Sequence, residues 1–183
     1  MRPFRRRRPR PTGDEDGKPI LAVDIDGVIA PFGFEEPPRW EGAEFHLIDG
    51  ALHCISVPAG QRLQRLALDY ELVWATGWEK GAHQISEMLG LPEWPYLTFD
   101  GKAQFGSADW KLGPLERYAG ERPLAWVDDS LDELCYAWAR SRPQPTLLVE
   151  TEPALGLQDV HVEALIAWAG GFAAKARPVA GSD

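Results

Sequence analysis

Asp24 and Asp26 stand two residues apart, at the end of an apolar run and directly before Gly27. The run covers residues 20–23 and predicts a strand that is buried on both faces, as in a parallel sheet. Two carboxylates at the carboxyl end of such a strand form a dense negative site, which favours a hard divalent cation. One carboxylate can then attack a phosphorus atom while the other transfers protons.

Two later apolar runs also end in polar residues. Residues 72–75 precede Thr76, and residues 124–127 precede the adjacent acids Asp128 and Asp129. Neighbouring carboxylates repel each other unless a cation compensates their charge. Because ligands of parallel sheets bind beyond the carboxyl ends of the strands, these three strand ends indicate one shared site.

Four segments resemble, in order, the four motifs of the haloacid dehalogenase (HAD) superfamily of phosphohydrolases. They are residues 24–28, residues 72–78, Lys111 at the start of a predicted helix, and residues 124–129. The resemblance extends over residues 18–170. The tryptophans of the second motif, the Trp-Lys pair at 110–111 and the final Val-Asp-Asp look most like the small HAD domains associated with Swiss Army Knife RNA-repair proteins.

For the first and fourth motifs, the resemblance implies metal-dependent chemistry. Asp24 would be the nucleophile and a metal ligand, and Asp26 the general acid and base whose backbone carbonyl reaches the metal. Asp128 would bind Mg²⁺ directly, whereas Asp129 would bind it through water or orient the site. The alternative interpretation of Asp24 and Asp26 is a pair of turn-forming acids.

For the second and third motifs, the resemblance implies phosphate binding. Thr76 would donate a hydrogen bond to a phosphoryl oxygen, together with the amide of Gly77, although Thr76 also suits a helix N-cap. Lys111 would pair with Asp24 and neutralise the phosphoryl group. Lys102 competes for this role from the same connection, and a solvated lysine is the alternative for either. Lys111 is favoured because it begins a helix after a glycine-rich loop.

Several aromatic side chains lie near these motifs in the sequence. Trp40, Trp78 and Trp110 could stack on a base or a sugar. Because the chain has eight tryptophans, packing is the favoured interpretation for each of them. The four histidines show no metal-ligand spacing, so surface or core positions are expected for them.

The composition predicts a single soluble, cytoplasmic domain without a membrane partner. The chain has 183 residues and is 44% hydrophobic, which is enough for a core, and no apolar run has the length of a membrane span. Cys54 and Cys135 stand alone and are expected to be buried, reduced thiols.

The charge is unevenly distributed along the chain. Residues 1–11 hold six arginines and no acid, whereas the formal charge is −9 overall and therefore −15 for the remainder. Residues 1–17 are predicted to be a disordered tail, which is either an electrostatic arm for RNA or another anion, or a solvated end without function. Residues 12–18 are polar and acidic, which argues against an export signal.

Apolar runs and turn signals predict five strands that alternate with helices. The predicted strands are residues 20–25, 72–75, 96–99, 124–127 and 146–150. The predicted helices are residues 58–70, 79–89, 111–118, 131–140 and 160–169. This alternation predicts an α/β fold with a mostly parallel five-stranded sheet, and the resemblance makes it a HAD-like Rossmannoid three-layer fold.

The segment after the first strand carries a hairpin signal. Residues 44–48 and 53–57 are partly apolar and flank an Asp-Gly pair at 49–50, so residues 30–57 are predicted to form a short flap. The flap is too short for a full cap domain. The HAD-like domain is expected to cover residues 18–170, with a flexible C-terminus over 171–183.

These patterns together predict a Mg²⁺-dependent phosphohydrolase that works through an aspartyl-phosphate. The predicted partner is a phosphorylated substrate, with RNA or a nucleotide as the candidates and a nucleic-acid end as the specific hypothesis. A small phosphorylated metabolite is the alternative substrate. The alternative class is a catalytically silent, phosphate-sensing binding module, which the presence of both Asp24 and Asp26 disfavours.

Overall fold

The computed structural model describes residues 17–99 and 106–176. They form six strands: β1 (Ile20–Val23), β2 (Ala43–Ile48), β3 (Ala51–Ser56), β4 (Glu71–Trp74), β5 (Leu124–Asp128) and β6 (Thr146–Glu150). Four of these strands make a sheet in the order β4-β1-β5-β6, and all of its pairs are parallel. β2 and β3 form a separate antiparallel hairpin. The expectation of an α/β fold with a mostly parallel sheet is therefore confirmed.

The described residues also form five α-helices, four between strands and the last after β6: α1 (Val57–Leu66), α2 (Ala82–Met88), α3 (Leu112–Ala119), α4 (Glu133–Ser141) and α5 (Asp159–Ala176). Short 3₁₀ helices, Glu79–Gly81 and Asp109–Lys111, precede α2 and α3. Among the helices of the described residues, none has the length and apolar content needed to cross a membrane.

The helices cover both faces of the sheet. Leu21 and Val23 of β1 pack in one buried cluster with residues of α1, α2 and α5, whereas Ile20 and Ala22 pack in a second cluster with residues of α3 and α4. Successive side chains of a strand point to opposite faces, so β1 is buried on both sides. This explains why its sequence is a continuous apolar run.

The hairpin follows β1, within the predicted flap. Its turn residues Asp49 and Gly50 both have a positive φ, 48° and 82°, which matches the turn that an Asp-Gly pair favours. Ile48 and Ile55 are buried and hold one face of the hairpin against the core. The hairpin is therefore packed onto the domain that contains β1.

A fifth parallel strand is absent from the described residues. In place of the strand predicted at 96–99, Tyr96 makes a single parallel bridge to Trp74 of β4. Trp74 donates its N–H to Pro95 O at 2.9 Å, and Leu97 donates to Trp74 O at 2.8 Å. The segment lies at the edge of the sheet. Pro95 lacks an N–H group, which limits pairing before Tyr96, and the N–H of Phe99 donates to Glu79 Oε1 at 2.8 Å instead of to β4.

The start of α4 also differs from the expectation of a helix over 131–140. Asp132 is its N-cap, and its carboxylate accepts the N–H of Cys135 at 3.0 Å. Ser130, at the start predicted from sequence, instead donates its hydroxyl to Asp129. Ser and Asp are both good caps, and the sequence does not decide between them.

Several expectations lie outside the described residues. They concern the arginine-rich part of the predicted tail, Lys102 in the glycine-rich loop, and the last residues of the C-terminus, 177–183. Before that end, α5 continues to Ala176, past its predicted end at residue 169.

Candidate functional site

The carboxyl ends of the two central strands bring Asp24 and Asp128 together. Asp24 directly follows β1, and its backbone N–H donates to Val127 O at 3.0 Å, so the pairing of β1 with β5 continues into the site. Asp128 is the last residue of β5. Both side chains are buried: Asp128 is 0% exposed and Asp24 is 7% exposed. The expectation that these strand ends share one site fits this geometry.

Lys111 lies between the two carboxylates. Its Nζ is 2.6 Å from Asp24 Oδ2 and 2.6 Å from Asp128 Oδ2, and the residue is 3% exposed. The backbone N–H of Ala108 donates to Ser130 O at 3.0 Å, which attaches the turn before Lys111 to the end of β5. Lys111 is thus positioned next to the two acids by the 3₁₀ helix Asp109–Lys111, whose N-cap residue is hydrogen-bonded to the segment that follows β5.

The buried charges change the proton affinities of these groups. Burial, followed by the nearby charge of Asp24, raises the pKa of Asp128 to about 7 against the opposing effect of Lys111. Burial alone would lower the pKa of Lys111, but the charges of Asp24 and Asp128 outweigh it and raise that pKa. Lys111 is therefore a permanent positive charge at neutral pH.

Asp129 reaches the same site because Gly27 has no side chain. A Cβ on Gly27 would lie 2.5 Å from Asp129 Oδ2 and 2.6 Å from Asp129 Cβ, which is too close for any real contact. Gly27 also has a φ of 68°, and its carbonyl accepts the hydroxyl of Thr151 at 2.8 Å. Burial and the charge of Asp24 raise the pKa of Asp129.

Asp24, Asp128 and Asp129 can together hold a metal ion. One carboxylate oxygen from each lies within 4.8 Å of the others. The neighbouring Lys111 supplies one positive charge to these three acids, so an excess of negative charge remains. All three donors are carboxylate oxygens, which suits a hard divalent cation such as Mg²⁺. The residues present therefore fit the group that the first and fourth motifs imply.

The side chain of Asp26 lies apart from this group of ligands. Its Oδ2 accepts the indole N–H of Trp78 at 2.8 Å. Burial is the largest effect on its pKa, which is raised, and the charge of Asp24 adds to it while the Trp78 hydrogen bond opposes it. The resemblance assigns the metal contact of Asp26 to its backbone carbonyl and not to its side chain, and that assignment stays a prediction. Within the described part of the chain, the Asp26 side chain is not among the grouped carboxylates.

Thr76 and Gly77 follow β4, the strand beside β1. Thr76 is buried, and its Oγ1 lies 3.4 Å from the backbone N of Trp78, which donates to it. Gly77 is exposed. Trp78 is thereby bonded both to the second motif and, through its indole, to Asp26.

Sequence reasoning missed two features of the site. Trp78 was interpreted as a packing residue and His53 as a surface or core residue, but the rings of His53 and Trp78 are in edge contact at 4.9 Å. His53 and Trp78 lie in segments that are far apart in the sequence, so no local sequence pattern indicates the contact between their rings. The position of Trp78 directly after the Thr-Gly pair was the one signal in the sequence.

No protein-family model matches this chain, and no curated protein matches it. Its function must therefore be inferred from the chemistry of the site itself.

Proposed function

We propose that this protein is a Mg²⁺-dependent phosphohydrolase of the HAD type that works through an aspartyl-phosphate. The observation that carries the proposal is the position of Lys111 Nζ, 2.6 Å from both Asp24 and Asp128, beside a third acid that completes a metal-binding group. The parallel sheet, the helices on both faces and the hairpin after β1 agree with a HAD-like Rossmannoid fold.

Asp24 is the proposed nucleophile. Its Oδ1 accepts the N–H of Ile25 at 2.7 Å and its Oδ2 accepts from Lys111, so both oxygens have a fixed orientation. A fixed carboxylate at the end of a buried strand can be held in line with a phosphorus atom. Lys111 then neutralises the charge that the phosphoryl group brings next to Asp24.

Asp128 and Asp129 are the proposed carboxylate ligands that complete the Mg²⁺ site with Asp24. When bound, Mg²⁺ lowers the repulsion between the phosphate and the attacking carboxylate. Asp128 is held by Lys111 and by the N–H of Ser130 at 3.0 Å, and Asp129 by the hydroxyl of Ser130 at 3.2 Å. Ser130 thus orients both acids.

Asp26 is the proposed general acid and base. Its raised pKa favours the protonated form, which can donate a proton to the leaving oxygen. The resulting carboxylate can then take a proton from the water that hydrolyses the aspartyl-phosphate. Thr76 and the amide of Gly77 are the proposed donors to the phosphoryl oxygens, since they follow the strand next to β1.

A phosphate at a nucleic-acid end is the proposed substrate. The support is the resemblance to RNA-repair HAD domains, together with the short hairpin that follows β1, which is too small to be a full cap domain. A small phosphorylated metabolite is the alternative. A screen of nucleotides, sugar phosphates and RNA with 5′, 3′ or 2′ phosphate ends distinguishes the two classes.

The reaction is tested with 4-nitrophenyl phosphate. Hydrolysis is expected to require Mg²⁺, to stop in EDTA, and to fall on the order of 10³-fold or more in Asp24→Asn, because an amide cannot form the aspartyl-phosphate. Asp69→Asn, at an exposed acid, is the matched control and should keep wild-type activity. Wild-type activity in Asp24→Asn would reject the proposal.

Binding of beryllofluoride distinguishes an enzyme that forms an aspartyl-phosphate from a module that only binds phosphate. With Mg²⁺ it is expected to raise the melting temperature of the wild type, because a ligand that binds only the folded state stabilises it. The increase should be absent in Asp24→Asn. No increase in the wild type at millimolar concentration would contradict an acyl-phosphate-forming site.

A further inference from the structure

The indole of Trp78 holds the proposed general acid. Trp78 Nε1 donates to Asp26 Oδ2 at 2.8 Å, and Asp26 Oδ1 has no hydrogen-bond partner in residues 17–99 and 106–176. A carboxyl group rotates about its terminal bond, and a donor that is hydrogen-bonded to one of its oxygens restricts that rotation. The hydrogen bond therefore leaves the second oxygen free in a defined direction.

Trp78 is itself held from two sides. Its backbone N–H donates to Thr76 Oγ1, so its main chain is attached to the end of β4. The ring of His53, on β3 of the hairpin, contacts the indole with centroids 4.9 Å apart and planes at 68°. Edge contacts of this kind stabilise one ring orientation.

The hairpin that supplies His53 packs on the core through buried side chains. Ile55 lies on the same face of β3 as His53 and is 1% exposed. Ile48, at the end of β2, is 2% exposed. His53 also pairs with His46 across the two strands. The ring that contacts Trp78 is therefore attached to buried side chains of the core.

We infer that Trp78 is a positioning residue for Asp26, and that the hairpin contributes to catalysis through His53. This inference rests on the proposed phosphohydrolase function. As the bond from Asp24 to phosphorus forms and the ester P–O bond breaks, the proton on Asp26 Oδ1 passes to the leaving oxygen. In the second step water attacks the phosphorus and loses a proton to the same Oδ1, while the bond between Asp24 and phosphorus breaks, so phosphate is released and the Asp24 carboxylate is restored. Trp78 keeps that oxygen aimed at the leaving oxygen in the first step and at the attacking water in the second.

The test is the dependence of kcat/KM on the leaving group. A leaving group that departs easily as an anion needs no proton, whereas an alkoxide does, so poor orientation of the acid affects only the basic leaving groups. Trp78→Phe is expected to change kcat/KM by less than about twofold for 4-nitrophenyl phosphate and to lower it about tenfold or more for an alkyl phosphate, with phenyl phosphate between them. His53→Leu should give the same trend with a smaller loss.

Trp168→Phe is the matched control. Trp168 is also half-buried, and it stacks on Tyr70, a buried side chain at the amino end of β4, opposite the carboxyl ends that form the site. This variant should keep the wild-type ratio between alkyl and nitrophenyl substrates even where its melting temperature falls. If Trp78→Phe does not fold, His53→Leu decides: a wild-type ratio in that variant overturns the role of the hairpin contact.

Two failures are distinguishable. If hydrolysis survives Asp24→Asn, the proposed function is wrong, whatever Trp78 does. Alternatively, hydrolysis depends on Asp24 while Trp78→Phe lowers kcat/KM by the same factor for every ester, or leaves kcat/KM unchanged for all of them. With either of these results only the positioning role is overturned, and Trp78 is a packing residue.

Discussion

Gly27 is a residue whose missing side chain makes the site possible. It sits where a Cβ would overlap the carboxylate of Asp129, and its φ of 68° is one that other residues rarely adopt. The glycine of the first motif therefore has a physical role in placing the second acid of the fourth motif.

We expect Gly27→Ala to lose both stability and metal affinity. Strain at a positive φ and overpacking each cost about 1–3 kcal/mol in unfolding free energy. Displacement of Asp129 should also raise the Mg²⁺ concentration required for half-maximal hydrolysis. Urea unfolding and a Mg²⁺ titration measure the two effects.

Gly33→Ala is the control for this prediction. Gly33 has a similar φ of 76°, but nothing lies within 4 Å of the position of its Cβ. It should show the strain without the change in metal requirement. Equal Mg²⁺ requirements in the two variants would contradict the role assigned to Gly27.

The residues that carry charge were largely predictable from sequence, and those that orient them were not. Asp24, Asp128 and Lys111 lie at strand and helix boundaries, which local patterns reveal. Trp78 and His53 act through side-chain directions that only the packed hairpin determines. A pattern of apolar residues predicts which face of a strand is buried, but not which ring a half-buried histidine contacts.

At the scale of elements, the four strands of the parallel sheet were predictable from their apolar runs. The structure gives β4 as Glu71–Trp74 and β6 as Thr146–Glu150, within one residue of the predicted bounds. The segment at 96–99 was overestimated because an apolar run at a sheet edge carries the same sequence signal as a central strand. Only the tertiary position of Tyr96, beside Trp74 and after Pro95, limits it to one bridge.

The cap of α4 gives a prediction at this scale. Asp132→Ala is expected to lower the unfolding free energy by about 1 kcal/mol, because the N–H of Cys135 loses its acceptor. Ser130→Ala should cost less stability, since Ser130 orients the acids and does not cap the helix. Thermal or urea unfolding of the two variants checks this.

Asp132 also accepts the hydroxyl of Ser107 at 2.6 Å, so Ser107→Ala is needed as a control for that lost contact. A larger loss of stability in Ser130→Ala than in Asp132→Ala would contradict the assignment of Asp132 as the cap of α4.

For the whole molecule, the buried acids couple folding, pH and metal. The pKa of Asp128 is raised from 3.8 to about 7 by burial, so between these values the folded chain binds more protons than the unfolded chain. The contribution of Asp128 to the free energy of unfolding without metal therefore decreases as the pH rises through this window. Asp26 and Asp129, whose pKa values are also raised by burial, act in the same direction.

Mg²⁺ competes with these protons, so its effect on stability should depend on pH. We expect millimolar Mg²⁺ to raise the melting temperature more at pH 7.5 than at pH 5, relative to EDTA. Differential scanning fluorimetry measures the four conditions. Asp128→Asn should reduce the difference between the two pH values, and an equal shift at both in the wild type would contradict the linkage.

The order of strands in the sheet has a consequence for how the protein is made. β1 is synthesised early, but both of its neighbours, β4 and β5, come later in the chain, and Lys111 is 87 residues away from Asp24. Contacts of such long separation form slowly, because the loop between them must close first. During synthesis, the edge of β1 that pairs with β5 therefore stays unpaired until β5 has been made. In this interval the exposed apolar strand is most prone to aggregation, and chaperone binding would have its largest effect.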